Sequence, residues 1–307
     1  MAFLNALPGA VAQGLIWGLV AIGVYISYKI LDIADLTVDG SICTGGCVCA
    51  VLIAMGCPVW LSVLAAFLAG ALTGVLTGVF HTAFGIPSIL AGILTQLILY
   101  SVNLSTLGGK SLMAVDYRTN DLLLHMSDNV GAIVTLVLMV AAVIVGLFLF
   151  FYTEIGLTLK STGDNPDMSR AQGVNVKLNK VIGLAIANGI VALAGTLLAQ
   201  YKGSANINDG RGAIVIALAA IYIGLSVSLK IKPNFVVSLI GVVSGGVVYY
   251  IIYNFVILMG LKTDYLKMLS AIIVVIFLAV PYLKEEYFQK KKTLPPEETS
   301  VGGAPNA

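Results

Sequence analysis

Glu154–Lys180 reads EIGLTLKSTGDNPDMSRAQGVNVKLNK, the longest polar stretch between two long apolar runs of the chain. It contains the signals of a short helix. Asn165 suits the N-cap, because its side chain accepts a hydrogen bond from a free N–H of the first turn. Pro166 suits the first helical position, where its missing N–H costs nothing. Asp167 and Arg170 place charges that complement the two ends of the helix dipole. Gly173 supplies a residue able to turn left-handed and end the helix. A helix of about two turns is marginal alone in water, so something must hold it. Held between two membrane spans, it is placed to dock a soluble partner.

The apolar runs on either side decide the class. Of the 307 residues, 59% are hydrophobic and 10% charged, with a mean hydropathy of +0.99; ordinary globular domains carry about 25% charged residues. Spans are read at 9–30, 42–57, 59–80, 86–102, 129–152, 181–200, 212–229, 234–260 and 266–283, most near the roughly 20 residues needed to cross a bilayer. The expected fold is therefore an all-α polytopic membrane protein of about nine transmembrane helices. The membrane domain covers 1–285 with the polar loop at 154–180, and 286–307 forms a disordered cytoplasmic tail. The N-terminus lacks a basic flank and a small-residue cleavage site, so the first span is expected to stay. With the loop and tail inside, eleven basic residues face the cytoplasm against six outside, which puts the N-terminus outside.

The chain also reads as two related halves. Ala12-Gln13-Gly14-Leu15 resembles Ala187-Asn188-Gly189-Ile190, and each span runs on to a Tyr-Lys pair, Tyr28-Lys29 and Tyr201-Lys202. Each then reaches an irregular polar segment ending in Asp-Gly, at Asp39-Gly40 and Asp209-Gly210. Pro58 and Pro233 open the following spans, and Gly70 and Gly245 lie twelve residues beyond them. Spans one to four would thus correspond to six to nine as inverted repeats, whose paired interruptions mark a transport pathway. The other reading is that these interruptions are ordinary surface loops. Polar residues suited to a pathway are Gln13 and Asn188, at equivalent places in the repeats, with Ser101 and Asn103 on the fourth span. Their alternative role is hydrogen bonding between helices.

Other motifs carry less. Gly70, Gly74 and Gly78 form a smooth stripe for close helix packing. Cys43, Cys47, Cys49 and Cys57 have no His or carboxylate beside them within the span and read as small hydrophobes, so no metal site or cofactor is expected. Gly108-Gly109-Lys110-Ser111 looks like the end of a phosphate-binding loop, but Leu104 stands where the first glycine belongs and no strand precedes it. No ionisable residue falls clearly inside a span. Ion-coupled transporters generally carry such residues, so the energy for transport is expected to come from another subunit.

At this point the residues show a resemblance. Gly163-Asp164-Asn165-Pro166, followed by Ala171-Gln172-Gly173-Val174-Asn175-Val176, resembles the cytoplasmic coupling loop of bacterial ABC-importer permeases of the branched-chain amino acid and ribose family. Gln13-Gly14-Leu15 resembles that family's opening pattern. Leu36-Thr37-Val38-Asp39-Gly40-Ser41, Leu90-Ala91-Gly92-Ile93-Leu94-Thr95 and Tyr100-Ser101-Val102-Asn103-Leu104 are similar to a branch often paired with tryptophan- or tyrosine-type binding proteins. The likeness extends to about Leu283; Ile155, Thr158 and Lys160 depart from a more basic run in many relatives. The resemblance implies a permease in the bacterial plasma membrane that works as a homodimer in lipid. It would couple to two ABC ATPase subunits and receive a small, amino-acid-like solute from an extracytoplasmic binding protein, with no nucleic-acid partner. Gly163, Asp164, Asn165, Pro166, Asp167, Met168, Arg170, Ala171 and Gly173 would form the coupling element. Two other classes are weighed: a secondary transporter or channel working without an ATPase, and a membrane-embedded enzyme, for which no catalytic constellation is visible.

Overall fold

The computed structural model describes residues 2–115, 122–124, 129–228 and 234–258, with five single positions between 268 and 279. The tail at 286–307 lies outside the described residues, as does nearly all of the ninth expected span.

Helix α1 (Ala2–Tyr25) passes into a π-helical turn at Ile26–Ile30. There the chain reverses through Asp32, which has φ +54, and residues 33–37 re-enter the bundle without helix. Then follow α2 (Val38–Ala54), α3 (Val59–Thr82), α4 (Ser88–Thr106) and α5 (Asn129–Phe151). The polar loop holds α6 (Glu154–Asp164) and α7 (Pro166–Ala171). The second half holds α8 (Val176–Lys202), α9 (Ala213–Ser228) and α10 (Phe235–Leu258).

Each of the first eight expected spans falls on a helix, but only six helices among the described residues are long and apolar enough to cross a membrane. The helices α2 and α9 are shorter. Nor is the chain wholly helical: β1 (Leu112–Ala114) and β2 (Ser204–Asn206) pair antiparallel, with Met113 opposite Ala205. α6 was not expected from the sequence. Thr153 caps it by accepting the Gly156 N–H at 3.3 Å, and its apolar face buries Leu159.

Small residues set the packing, as expected where lipid removes any hydrophobic drive between helices and close van der Waals approach must replace it. Gly70, Gly74 and Gly78 of α3 meet α8 at Asn188, Leu184 and Val181, so these helices run antiparallel. α2 runs parallel to α8, with Ser41 beside Asn188 and Cys49 beside Gln200. Gly14 and Gly18 of α1 meet Val247 and Val243 of α10, again antiparallel. The core lies where α1, α8, α9 and α10 converge, around Ile16, Leu19, Ile22, Leu184 and Tyr249.

These registers explain the two short helices. α2 starts level with Asn188, near the middle of α8, and the first turn of α9 abuts Asp39 of α2. Residues 31–37 and 203–212 supply the rest of each crossing without α-helix.

Candidate functional site

Two regions concentrate the polar side chains. The first is the α6–α7 end. Asn165 accepts the Met168 N–H at 2.9 Å through its side chain, and Pro166 opens α7 as the sequence indicates. The Gly173 backbone has φ +83. Its N–H bonds the Arg170 carbonyl, and the Val174 N–H bonds the Ser169 carbonyl, so the left-handed residue closes the helix. α7 is anchored on one side only: Ser169 is buried, its Oγ donating to Ser161 Oγ and to the Asn165 carbonyl. Asp164, Asn165, Pro166, Asp167, Met168, Arg170, Ala171 and Gly173 are exposed. Asp167 and Arg170 approach to 3.5 Å in the open, a contact of small value in water. Gly163 differs from its neighbours. It packs against the Ile30 carbonyl at the end of the π-helical turn, and Asn179 Nδ2 donates to Thr162 Oγ1 next to it. The α6–α7 loop thus rests directly on the segment that leads into α2.

The second region is where α2 and α9 begin. Asp35 is 2% exposed, which corrects the expectation that no ionisable residue lies inside the bundle. A buried carboxylate needs partners. It has the Thr37 N–H at 2.9 Å and Asn188 Nδ2 at 2.6 Å. Ser41 Oγ donates to Asn188 Oδ1 at 2.6 Å and also meets Thr73 Oγ1 at 2.7 Å. Thr37 Oγ1 and Thr77 Oγ1 lie 2.7 Å apart, and Thr77 donates on to Thr95 of α4. These groups tie α2, α3, α4 and α8 together around the irregular segment. Asp39 faces the other interruption. Its carboxylate accepts the Gly212 and Ile214 N–H groups at 2.9 and 3.1 Å, satisfying free donors at the start of α9. Gly210 packs against the Asp39 carbonyl and donates to Cys43 Sγ at 3.2 Å. The two Asp-Gly segments singled out in the sequence therefore touch.

Beside this junction lies a cavity of about 320 Å³ between α2, α4 and residues 207–211. Asp39, Gln96, Tyr100, Asn103 and Arg211 contribute its polar wall. Of the expected pathway residues, Asn103 lines this cavity. Ser101 is on the exposed side of the same helix. Asn188 is fully buried in the hydrogen-bond network and Gln13 is half-buried on α1, so neither meets the cavity. Asp35, Gln96, Tyr100 and Arg211 were missed. Asp35 had only a polar gap between apolar runs to signal it; Gln96 and Tyr100 are one turn apart on α4, and only folding brings Arg211 to them.

Among the described residues no cluster of His, Cys, Asp and Glu could hold a metal ion. Cys43, Cys47 and Cys49 are buried free thiols.

Residues 7–278 match the profile of a family described as "Branched-chain amino acid transport system / permease component". The chain is 33% identical to a "Tyrosine transport system permease protein" of Clostridioides difficile, with 90% of this chain and 91% of that one aligned. It is 33% identical to an uncharacterised protein of Rickettsia prowazekii over 92% and 99% of the two chains. A galactose/methyl galactoside import permease of Escherichia coli is 30% identical over 45% of this chain and 40% of its own length. No solved structure matches.

Proposed function

The chain belongs to the branched-chain amino acid transport permease family, a permease component of an ABC importer in the bacterial inner membrane, and from that premise we propose how it works. It imports an amino-acid-like solute as a homodimer, driven through α7 by a separate ATPase and fed by an extracytoplasmic binding protein. It has no nucleotide site of its own. The carrying observation is α7: a capped helix whose one buried residue is Ser169, with its charged and apolar side chains turned outward. Met168 of α7, 59% exposed, adds apolar surface to that face, as a docking face requires.

Transport follows from how this element is seated. A displacement of α7 is passed to α6, and Gly163 transmits it to the π-helical turn and the 31–37 segment. That segment carries Asp35 and leads into α2, whose Asp39 holds the start of α9. A bound nucleotide shifts the equilibrium only through contacts that differ between the two states, and α7 is the element that would make them. Gly163, Asp164, Asn165, Pro166, Asp167, Met168, Arg170, Ala171 and Gly173 form the coupling element in this reading.

The packing of α1 on α10 and of α8 on α3 supports the inverted repeat of spans one to four onto six to nine. The homodimer reading rests on α4. Its mean hydropathy, 1.5, is the lowest of the six long helices, yet most of it is exposed; α5, equally exposed, has 3.1. A lipid-facing helix should be the more apolar one, so α5 faces lipid and α4 faces the second copy and the solute path. Ser101 and Asn103 lie on that path, and Gln13 and Asn188 hold the repeats together beside it. Asp35 removes the earlier argument against a secondary transporter, since a carboxylate does lie within the bundle; family membership carries the importer reading instead. The test is reconstitution of the chain with its ATPase and binding protein. Uptake of L-tyrosine that requires ATP and both partners is expected. Uptake by the chain alone, driven by an ion gradient, would replace the importer with a secondary transporter.

A further inference from the structure

We propose that the cavity between α2, α4 and residues 207–211 is a station for a zwitterionic α-amino acid on the solute path, with Arg211 taking the carboxylate and Asp39 the ammonium group. This rests on the importer reading above and specifies its substrate chemistry.

The cavity lies where irregular backbone is required. Both interrupted helices begin at its wall, and non-helical backbone at membrane depth is tolerated only where protein or a water-filled cavity satisfies it. Its size, about 320 Å³, falls at the lower end of the roughly 300–1,000 Å³ of small-ligand pockets. Asp39 and Arg211, of opposite charge, both line it. They are not paired with each other, and Arg211 is exposed without an ion-pair partner among the described residues. Asp39 uses two N–H donors from the start of α9. A carboxylate has about four acceptor positions, which leaves capacity for an ammonium group. The α9 amides also fix its orientation, so the acceptor is in place before a ligand arrives.

The rest of the wall suits a side chain. Ile93, Leu97 and the Tyr100 ring supply apolar surface, and Gln96 and Asn103 supply hydrogen-bonding amides. The exposed Arg211 guanidinium is open to a ligand carboxylate and Asp39 keeps acceptor capacity for an ammonium group, so a zwitterion engages both, a singly charged ligand engages one, and a neutral sugar engages neither.

The experiment uses the permease–ATPase complex in proteoliposomes without the binding protein, so that selectivity is read from the permease. The chain carries Cys57→Ser, since Cys57 is not buried, Cys43→Ser, since Cys43 lines the same cavity, and Ile93→Cys as a reporter on the cavity wall. The rate of labelling by a charged methanethiosulfonate reagent is followed while solute is added. L-tyrosine should slow labelling. Tyramine, which lacks the carboxylate, and 4-hydroxyphenylpropionate, which lacks the amine, should need at least tenfold higher concentrations, and D-xylose should not protect. Arg211→Gln should raise the half-protecting concentration of L-tyrosine at least tenfold and leave that of tyramine unchanged, and Arg211→Lys should recover part of the loss. Three results overturn the proposal: no labelling in any nucleotide state while the same variant takes up solute with ATP once the binding protein is restored, equal protection by D-xylose, or an equal effect of Arg211→Gln on L-tyrosine and tyramine. Failure of the importer reading would look different, because the ATPase would then not co-purify with the unmutated chain.

Discussion

Asn188 shows at the scale of one residue how a polar group earns its place in an apolar bundle. It donates to Asp35 and to the Leu184 carbonyl and accepts from Ser41. Asn188→Leu leaves Asp35 with one fewer donor and Ser41 with one fewer acceptor. Stranding a buried polar group costs roughly 1–3 kcal/mol, more when it is charged, so the melting temperature of the assembled complex should fall clearly. Asn188→Leu with unchanged melting and reduced uptake would return this residue to the pathway. Gly173 gives the second test at this scale. Gly173→Val places a β-branched residue at φ +83, where an L-residue pays about 1–2 kcal/mol and a β-branched one is a genuine outlier. The chain leaving α7 should be mis-aimed, so that ATPase assembly survives and solute-stimulated ATP hydrolysis falls. Normal uptake together with normal hydrolysis would mean that the cap does not matter to coupling.

At the scale of elements, α7 and its support are separable. Met168→Pro removes an N–H that Asn165 caps and puts the ring in the helix, and it should abolish co-purification with the ATPase. Gly163→Val acts elsewhere: any Cβ there collides with the Ile30 carbonyl, so α6 must move off the π-helical turn. Docking should persist in that variant, and transport should be lost. Equal loss of docking in both variants would show that α6 and α7 act as one rigid unit rather than as a docking face and its lever. Most of this region was legible beforehand, because caps, Pro at the first helical position and a glycine stop are local signals that act within one turn. α6 was not legible. Its eleven residues, EIGLTLKSTGD, include three polar β-branched or hydroxylic residues and two glycines, and burial of its Leu159 face against α8 outweighs that weak propensity.

For the whole molecule, the exposed helices α4 and α5 make opposite predictions. With Cys57→Ser as background, Ile98→Cys on α4, 42% exposed, should crosslink between two copies with a short bifunctional thiol reagent. Leu138→Cys on α5, 65% exposed, should not. The reverse pattern, or no crosslink from α4 in a complex shown by mass to hold two permease copies, would place the second copy elsewhere.

The amino-acid order alone determined the class of the molecule, the course of its long helices and the caps of the short helix α7, because hydropathy, caps and glycine spacing are read within a turn or a span. What only the tertiary structure decided is where the interruptions go. Residues 31–37 and 203–212 read equally well as surface loops, since a polar stretch of that length looks the same at a membrane face and within a bundle. The Asp35 carboxylate can be buried only because the Thr37 N–H and Asn188, itself held by Ser41, arrive to satisfy it, and Gly210 and Gly212 find their partners in Cys43 and Asp39 of α2. The same convergence of distant segments sets Asp39 and Arg211, 172 positions apart in the chain, around one cavity, and no local pattern encodes such a meeting.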